Sequence, residues 1–321
     1  MKHLSRLAIS FTLGLAALSA CAQEYPNRPV HIIVGYLTGG GPDIQARLVA
    51  QSLSQILKQP FVVDNKPGAA GTLATGVAAK MAPDGYNLLL GETGQMVIAP
   101  FAYKSLPYDS LKDFAPIGMF SSSPLVLVAS RKTTPEIRTM QDLIREAKAR
   151  PGKLDYGTPG VGGLHHIVME SLKADLGIRV THIPYRGVAL SVPAVLSGEV
   201  PLIVTAIGTL RSNAAQLHIL AISSKERFPG LPDVPAMSEF VKDFEFASEM
   251  GLLGPAGTPQ EVIGKVSAAL KTAVQAPEFI ERERGLGFAT GWTSPEGYAD
   301  NLRKNLKRYE RAVRIAGIQP E

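Results

Sequence analysis

VHIIVGYLTGGGPDIQ, Val30 to Gln45, is the stretch that decides the fold class. Val30–Val34 is almost wholly β-branched and reads as a buried strand. Gly39-Gly40-Gly41 then turns the chain into an amphipathic helix. Ala46, Val49, Ala50, Leu53, Ile56 and Leu57 share one face of that helix, while Arg47, Gln51, Ser54, Gln55 and Lys58 share the other. Strand, glycine-rich loop and helix recur in YGTPGVGGLHHIVM, Tyr156 to Met169. Two such units, in two lobes, can face each other across a cleft.

Outward from these units the alternation continues. Phe61–Val63, Leu88–Leu90, Leu125–Val128, Leu154–Tyr156, Val180–Ile183 and Leu202–Val204 read as strands. Thr139-Met140-Gln141-Asp142 has capping-box spacing, and Thr258-Pro259-Gln260-Glu261 is read as a second box with Pro at the first helical position. Ser294-Pro295 opens a terminal helix with Tyr298, Leu302, Tyr309, Val313 and Ala316 along its core stripe. Its Arg303, Lys304, Lys307, Arg308, Arg311 and Arg314 are read as a solvated basic face. The pattern predicts an α/β protein with mainly parallel sheets.

Met1–Arg6 carries Lys2 and Arg6 and no acid, and Leu7–Leu18 is apolar but too short to span a bilayer. This is the pattern of a secretory leader. Leu18-Ser19-Ala20-Cys21 resembles a lipoprotein box, which would lipidate Cys21; Ala20-Cys21-Ala22 equally fits ordinary cleavage before Gln23. Cys21 is the only cysteine, so no intramolecular disulfide can form. The formal charge is +5, and removing Lys2 and Arg6 leaves +3, too little for a nucleic-acid binder.

Glycine loops that open helices bring backbone amides and partial positive charge to one point, which suits a carboxylate or phosphate. Thr158 adds a hydroxyl to the second loop, and Asp43 is expected to orient the first loop rather than to touch an anion. Gly39-Gly40-Gly41 lacks dinucleotide-loop spacing, since Ile44 stands where the last glycine belongs, and neither a Walker lysine motif nor a G-x-S-x-G elbow is present. Adjacent His165 and His166 cannot form an i,i+4 metal pair; His166 is expected to bond loop backbone or ligand. No cofactor, metal or catalytic set is expected.

Further segments, in order, carry a resemblance. They are Tyr25–Pro29, Gly39–Asp43, Asn65–Gly71, Ala82–Tyr86, Leu106–Asp109, Leu111–Phe114, Pro184–Gly187, Leu231–Pro235 and Pro255–Pro259. Through essentially the whole exported chain the sequence resembles the solute receptors of tripartite tricarboxylate transporters, the Bug type. The resemblance implies a two-lobed periplasmic-binding-protein fold (type II-like) with two crossover segments and a ligand cleft between the lobes. It implies a leader over 1–22, lobe 1 beginning over 23–123, lobe 2 over 124–248, and a crossover and return to lobe 1 over 249–321. It also implies a monomeric periplasmic receptor that captures a small organic anion for membrane transporter subunits. An orphan signalling receptor and an exported enzyme are the alternatives.

The ligand-binding candidates are Leu37, Thr38, Gly39, Gly40, Gly41, Asp43 and Thr93 on one side. Thr158, Gly160, Val161, Gly162, His166, Tyr185, Arg186, Thr205 and Glu249 complete the set. The chain departs from the family pattern at several of them. Gly35-Tyr36-Leu37-Thr38 replaces Pro-Phe-x-Pro, Val161 replaces a polar residue, Pro201, Thr205 and Ala206 replace an Asp and an Asp-Asn, and Glu249 replaces a Trp. Three readings stand for Glu249: a pair with Arg186, a partner for a donor group on the ligand, or a solvent-facing hinge residue.

Overall fold

A computed structural model describes residues 24–210 and 213–320; the leader and Cys21 lie outside the described residues. β1 (Val30–Val34) buries Val30, Ile32, Ile33 and Val34 completely or nearly so. Each such aliphatic side chain contributes about 1.5–3 kcal/mol by leaving water. α1 (Gly41–Leu57) lays Ala46, Val49, Ala50 and Leu53 on the sheet, while Ile56 stays partly exposed. β2 (Phe61–Asn65) returns parallel to β1 on one side, Val30 opposite Phe61. After α2 (Thr72–Ala78), β3 (Asn87–Glu92) lies parallel on the other side, Ile32 opposite Leu88. A π-helical turn, Gly94–Ile98, and the short α3 (Ala99–Ala102) follow.

β4 (Phe114–Ser130) is a single long strand that serves two halves of the molecule. Beyond it come α4 (Met140–Ala149), β5 (Asp155–Thr158), α5 (Leu164–Leu176), β6 (Thr181–Pro184), α6 (Val188–Ser197), β7 (Leu202–Ala206) and β8 (Leu217–Ile222). β5 pairs parallel with β6 and β7, repeating the β1–β2–β3 arrangement. β9 (Ala247–Pro255) brings the chain back, and α7 (Gln260–Gln275), α8 (Pro277–Leu286), β10 (Ala289–Thr293) and α9 (Pro295–Ile315) complete it.

The strand order is β2-β1-β3-β9-β4-β7-β5-β6, with β8 and β10 also paired to β4. Up to Pro124, β4 pairs antiparallel with β9; from Leu125 it pairs with β7 and β8. Parallel pairing thus prevails toward the outer edge of each half, and antiparallel strands join the halves. Ser223 clasps this junction. Its hydroxyl accepts from Leu125 N–H at 2.8 Å and donates to Phe246 O at 2.6 Å. Its backbone bonds the same two residues.

Thr139 and Asp142 form the expected capping box, and Ser294 accepts from Gly297 N–H ahead of Pro295. The box expected at Thr258–Glu261 does not form. Thr258 Oγ1 donates to Pro255 O at 2.7 Å, so it is spent on the preceding turn, and Pro259 is the N-cap of a helix that starts at Gln260. α9 follows its reading. Tyr298, Leu302, Tyr309 and Val313 are buried, and Arg303, Lys304, Lys307, Arg311 and Arg314 of the basic face are exposed, with Arg308 half-buried. Arg308 meets Glu245 at 3.0 Å and Arg311 meets Asp175 at 2.7 Å. α9 packs both on α5 and on the π-helical turn, so it straddles the two halves.

Candidate functional site

Parallel strands deliver their loops to one edge, beyond their carboxyl ends, where open α/β sheets place ligands. In the first half that edge carries Gly35–Gly40 after β1, Lys66–Gly71 after β2 and the Glu92–Gly94 corner after β3. In the second it carries Pro159–Gly163 after β5 and Ala206 at the end of β7. A cavity of about 730 Å³ opens between the two edges. Ala70, Glu92 and Gly94 line it from the first half, and Val161–His165 and Ala206 from the second. Ser123, Leu125 and Ser248, from the strands that cross between halves, also line it. Ile98, Ala99, Ala102, Tyr103, Phe288 and Ile318 give it a largely apolar wall, as ligand sites commonly have.

The two glycine loops are built on one plan. Gly39 (φ 83°) and Gly162 (φ 78°) are left-handed, each two residues before its helix, where a side chain would be strained. The N-caps Gly40 (φ −75°, ψ 164°) and Gly163 (φ −77°, ψ 169°) are extended and carry no side-chain cap. In each loop the third helical residue reaches back to the left-handed glycine. Asp43 accepts from Gly39 N–H at 2.8 Å, and His166 Nδ1 accepts from Gly162 N–H at 3.3 Å.

Behind the first loop, Asp43 is buried and also accepts from Asn65 Nδ2 at 2.9 Å and from Arg47. Burial alone would raise its pKa, but Arg47, Gly39 N–H and Asn65 outweigh that and hold the carboxyl below its usual range. Behind the second loop stands a stack of neutral rings. His166 lies 4.2 Å from His182, and His182 lies 4.9 Å from Tyr156. His182 Nε2 meets Thr158 Oγ1 at 2.6 Å. Burial lowers the pKa of His166 and, with His166 adding to it, pushes His182 down to about 4.

Glu92, half-buried at the cavity wall, accepts from Tyr36 OH at 2.8 Å, Gly94 N–H at 2.7 Å and Ser248 OH at 3.0 Å. Burial raises its pKa, against the pull of those three donors. Nothing in the sequence reading singled it out. The available signal was an acid ending the apolar run Leu88-Leu89-Leu90-Gly91, at the carboxyl end of a parallel strand.

Of the sequence candidates, Val161 and Gly162 line the cavity. Leu37–Gly41 and Asp43 sit beside it on the same edge of the first half, with Thr38 Oγ1 3.4 Å from Asn65 Oδ1 and Leu37 exposed. Thr93 is buried and structural: its hydroxyl donates to Ala247 O and accepts from Glu249 N–H. Thr158 and Thr205 are buried, Thr205 against Thr209 Oγ1 at 2.8 Å. Gly160 N–H bonds Thr158 Oγ1, Tyr185 OH bonds Glu199, and Arg186 is exposed.

Glu249 takes a fourth arrangement that none of its three readings described. Its Oε2 accepts from Asn301 and Asn305 of α9, each at 2.7 Å, rather than from Arg186. Burial pushes its pKa up to about 7 against these amides. Among the described residues, no group of His, Cys, Asp and Glu stands together as a metal site.

A family model described as the tripartite tricarboxylate transporter family receptor matches residues 45–317. An Agrobacterium vitis UPF0065 protein from the ttuE-ttuC′ intergenic region is 34% identical over 320 residues, covering 97% of this chain and 91% of the relative. The structure of Rpa4515 of R. palustris with adipate superposes with a TM-score of 0.78 at 29% identity, covering 93% of this chain and all (100%) of that one. The periplasmic binding protein BugD superposes with a TM-score of 0.73 at 30% identity, covering 92% and 100% of the two chains.

Proposed function

The chain belongs to the tripartite tricarboxylate transporter receptor family, and on that premise we propose that it is an extracytoplasmic receptor that binds a small carboxylate between its halves. Its α/β fold is that of the periplasmic binding proteins. One observation carries the ligand assignment. The uncapped N-terminus of α5, with Gly162 and Gly163, opens into a cavity that both halves and the crossing strands line. Free helix-start amides in a largely apolar pocket favour an anionic group. The first loop, Thr38–Gly41, is the facing jaw, and closure about the Ser223 junction brings it onto the ligand.

The partner switch of β4 at Pro124–Leu125 supports lobes divided as 23–123 and 124–248, with 249–321 returning to lobe 1. Export rests on the basic and apolar start of the sequence, Met1–Leu18. The receptor works as a monomer, binds its ligand without transforming it, and hands it to the membrane subunits of a tripartite transporter. Titration calorimetry with a library of small mono- and dicarboxylates should yield a saturable ligand. Binding of sugar phosphates with no acid bound would overturn the assignment.

A further inference from the structure

The cavity has one acidic pole. Among its described lining residues Glu92 is the only acid, and there is no lysine or arginine. His165, also in the wall, supplies no cation near neutral pH, since burial pushes its pKa down to about 4. The other pole is the start of α5, where Gly163, Leu164 and His165 present helix-start backbone. A ligand that spans the cavity therefore meets partial positive charge at one end and, at the other, an acid whose burial raises its pKa while three donors to its two oxygens favour the carboxylate form. Tyr36, Gly94 and Ser248 clamp Glu92 there, so it cannot swing away to make room for a second anion.

We propose that Glu92 sets the ligand's charge pattern, selecting acids that carry an ammonium or amide N–H group at the end remote from the carboxylate and rejecting plain diacids. This rests on the carboxylate reading above. The second carboxylate of a diacid would be desolvated beside Glu92 with no cation between them, a like-charge contact that costs affinity. An ammonium or amide N–H in the same place gives Glu92 a charge-assisted hydrogen bond instead.

The test uses compounds matched in length: succinate, γ-aminobutyrate and succinamate, and adipate, ε-aminocaproate and adipamate. Titration calorimetry of the purified protein should show an amine or amide binding at least about tenfold tighter than its matched diacid. Glu92→Gln, which keeps size and one accepting oxygen but removes the charge, should shift that ratio toward the diacid by about tenfold or more. A diacid bound as tightly as its amine and amide counterparts overturns the proposal and leaves the carboxylate reading intact. An unchanged ratio in a folded Glu92→Gln protein also overturns it. Failure of every acid to bind overturns both. The wild-type ranking decides the matter even where the variant does not fold.

Discussion

The first and second glycine loops share a left-handed glycine, an extended glycine cap and a third-position side chain that reaches back to the loop. They differ in what that side chain is. In the first it is an ionised acid tied to Arg47 and Asn65; in the second it is an imidazole stacked on another imidazole. One geometry is thus held by charge in one half and by neutral rings in the other. A loop held by charge is rigid down to the pKa of its acid. A loop held by neutral imidazole is vulnerable at milder acidity, because a proton on Nδ1 removes the acceptor that holds Gly162.

The largest expected effect falls on the first loop. Asp43→Ala leaves Gly39 N–H, the Asn65 amide and the Arg47 guanidinium without their common acceptor. Arg47 is half exposed, so water softens the loss, and we expect a cost of about 3 kcal/mol in urea unfolding. A cost near zero would mean that charge does not hold this loop.

Acid should separate the loops next. The folded pKa of His182 is near 4 against an ordinary 6.5, and that of His166 is also lowered. The stabilisation from His182 is complete above about pH 6.5 and is lost as pH falls toward about 4, and that from His166 changes in the same direction. Glu249 works the other way in the same window: its carboxyl is raised from 4.5 to about 7, so protonation favours the folded state there. The clean readout is therefore a difference between proteins. His166→Asn keeps an acceptor that does not titrate, so wild type should lose more melting temperature than this variant between neutral pH and pH ~5. Parallel melting curves would break the comparison.

Gly163→Val tests the role of the second loop in the cleft. A Cβ there meets nothing within 4 Å, and the residue's φ of −77° suits valine, so the fold should survive. The added bulk projects where a ligand would sit, and affinity for the bound acid should fall about tenfold or more. Gly41→Val, in the jaw that reaches the ligand on closure, should also weaken binding, by about threefold or more. No loss from Gly41→Val would mean that the first loop does not close on the ligand. Least in size, Tyr36→Phe removes the hydroxyl that ties the first loop to Glu92, at about 1 kcal/mol of stability by thermal melting. No measurable change would show that this tether is not needed.

Periodicity and loop chemistry were enough to mark the strands Val30–Val34 and Leu88–Leu90, the α1 face, the Thr139 box and the Ser294 start. They were also enough to place both glycine loops, because a left-handed turn into a helix has a local requirement that glycine alone meets well. Thr258 misled because Pro255 O, a competing acceptor for its hydroxyl, comes from a turn that the capping pattern does not include. The exposed basic face of α9 was legible, but the pairing of Arg308 and Arg311 was not, because their acids, Glu245 and Asp175, lie far away in sequence.

By itself, then, the sequence determined what local chemistry determines: an α/β chain, an exportable start as an expectation, two helix-opening glycine loops and a family pattern read along its length. Only the tertiary structure decided which polar groups share a cavity. Glu92 and the start of α5 are 72 residues apart by number, from 92 to 164, and come together because β4 and β9 cross between the halves. Glu249 was drawn away from the candidate set by two asparagines on the last helix, a pairing that depends on how α9 straddles both halves. Burial and long-range hydrogen bonding act between elements, and spacing along one element carries no record of them.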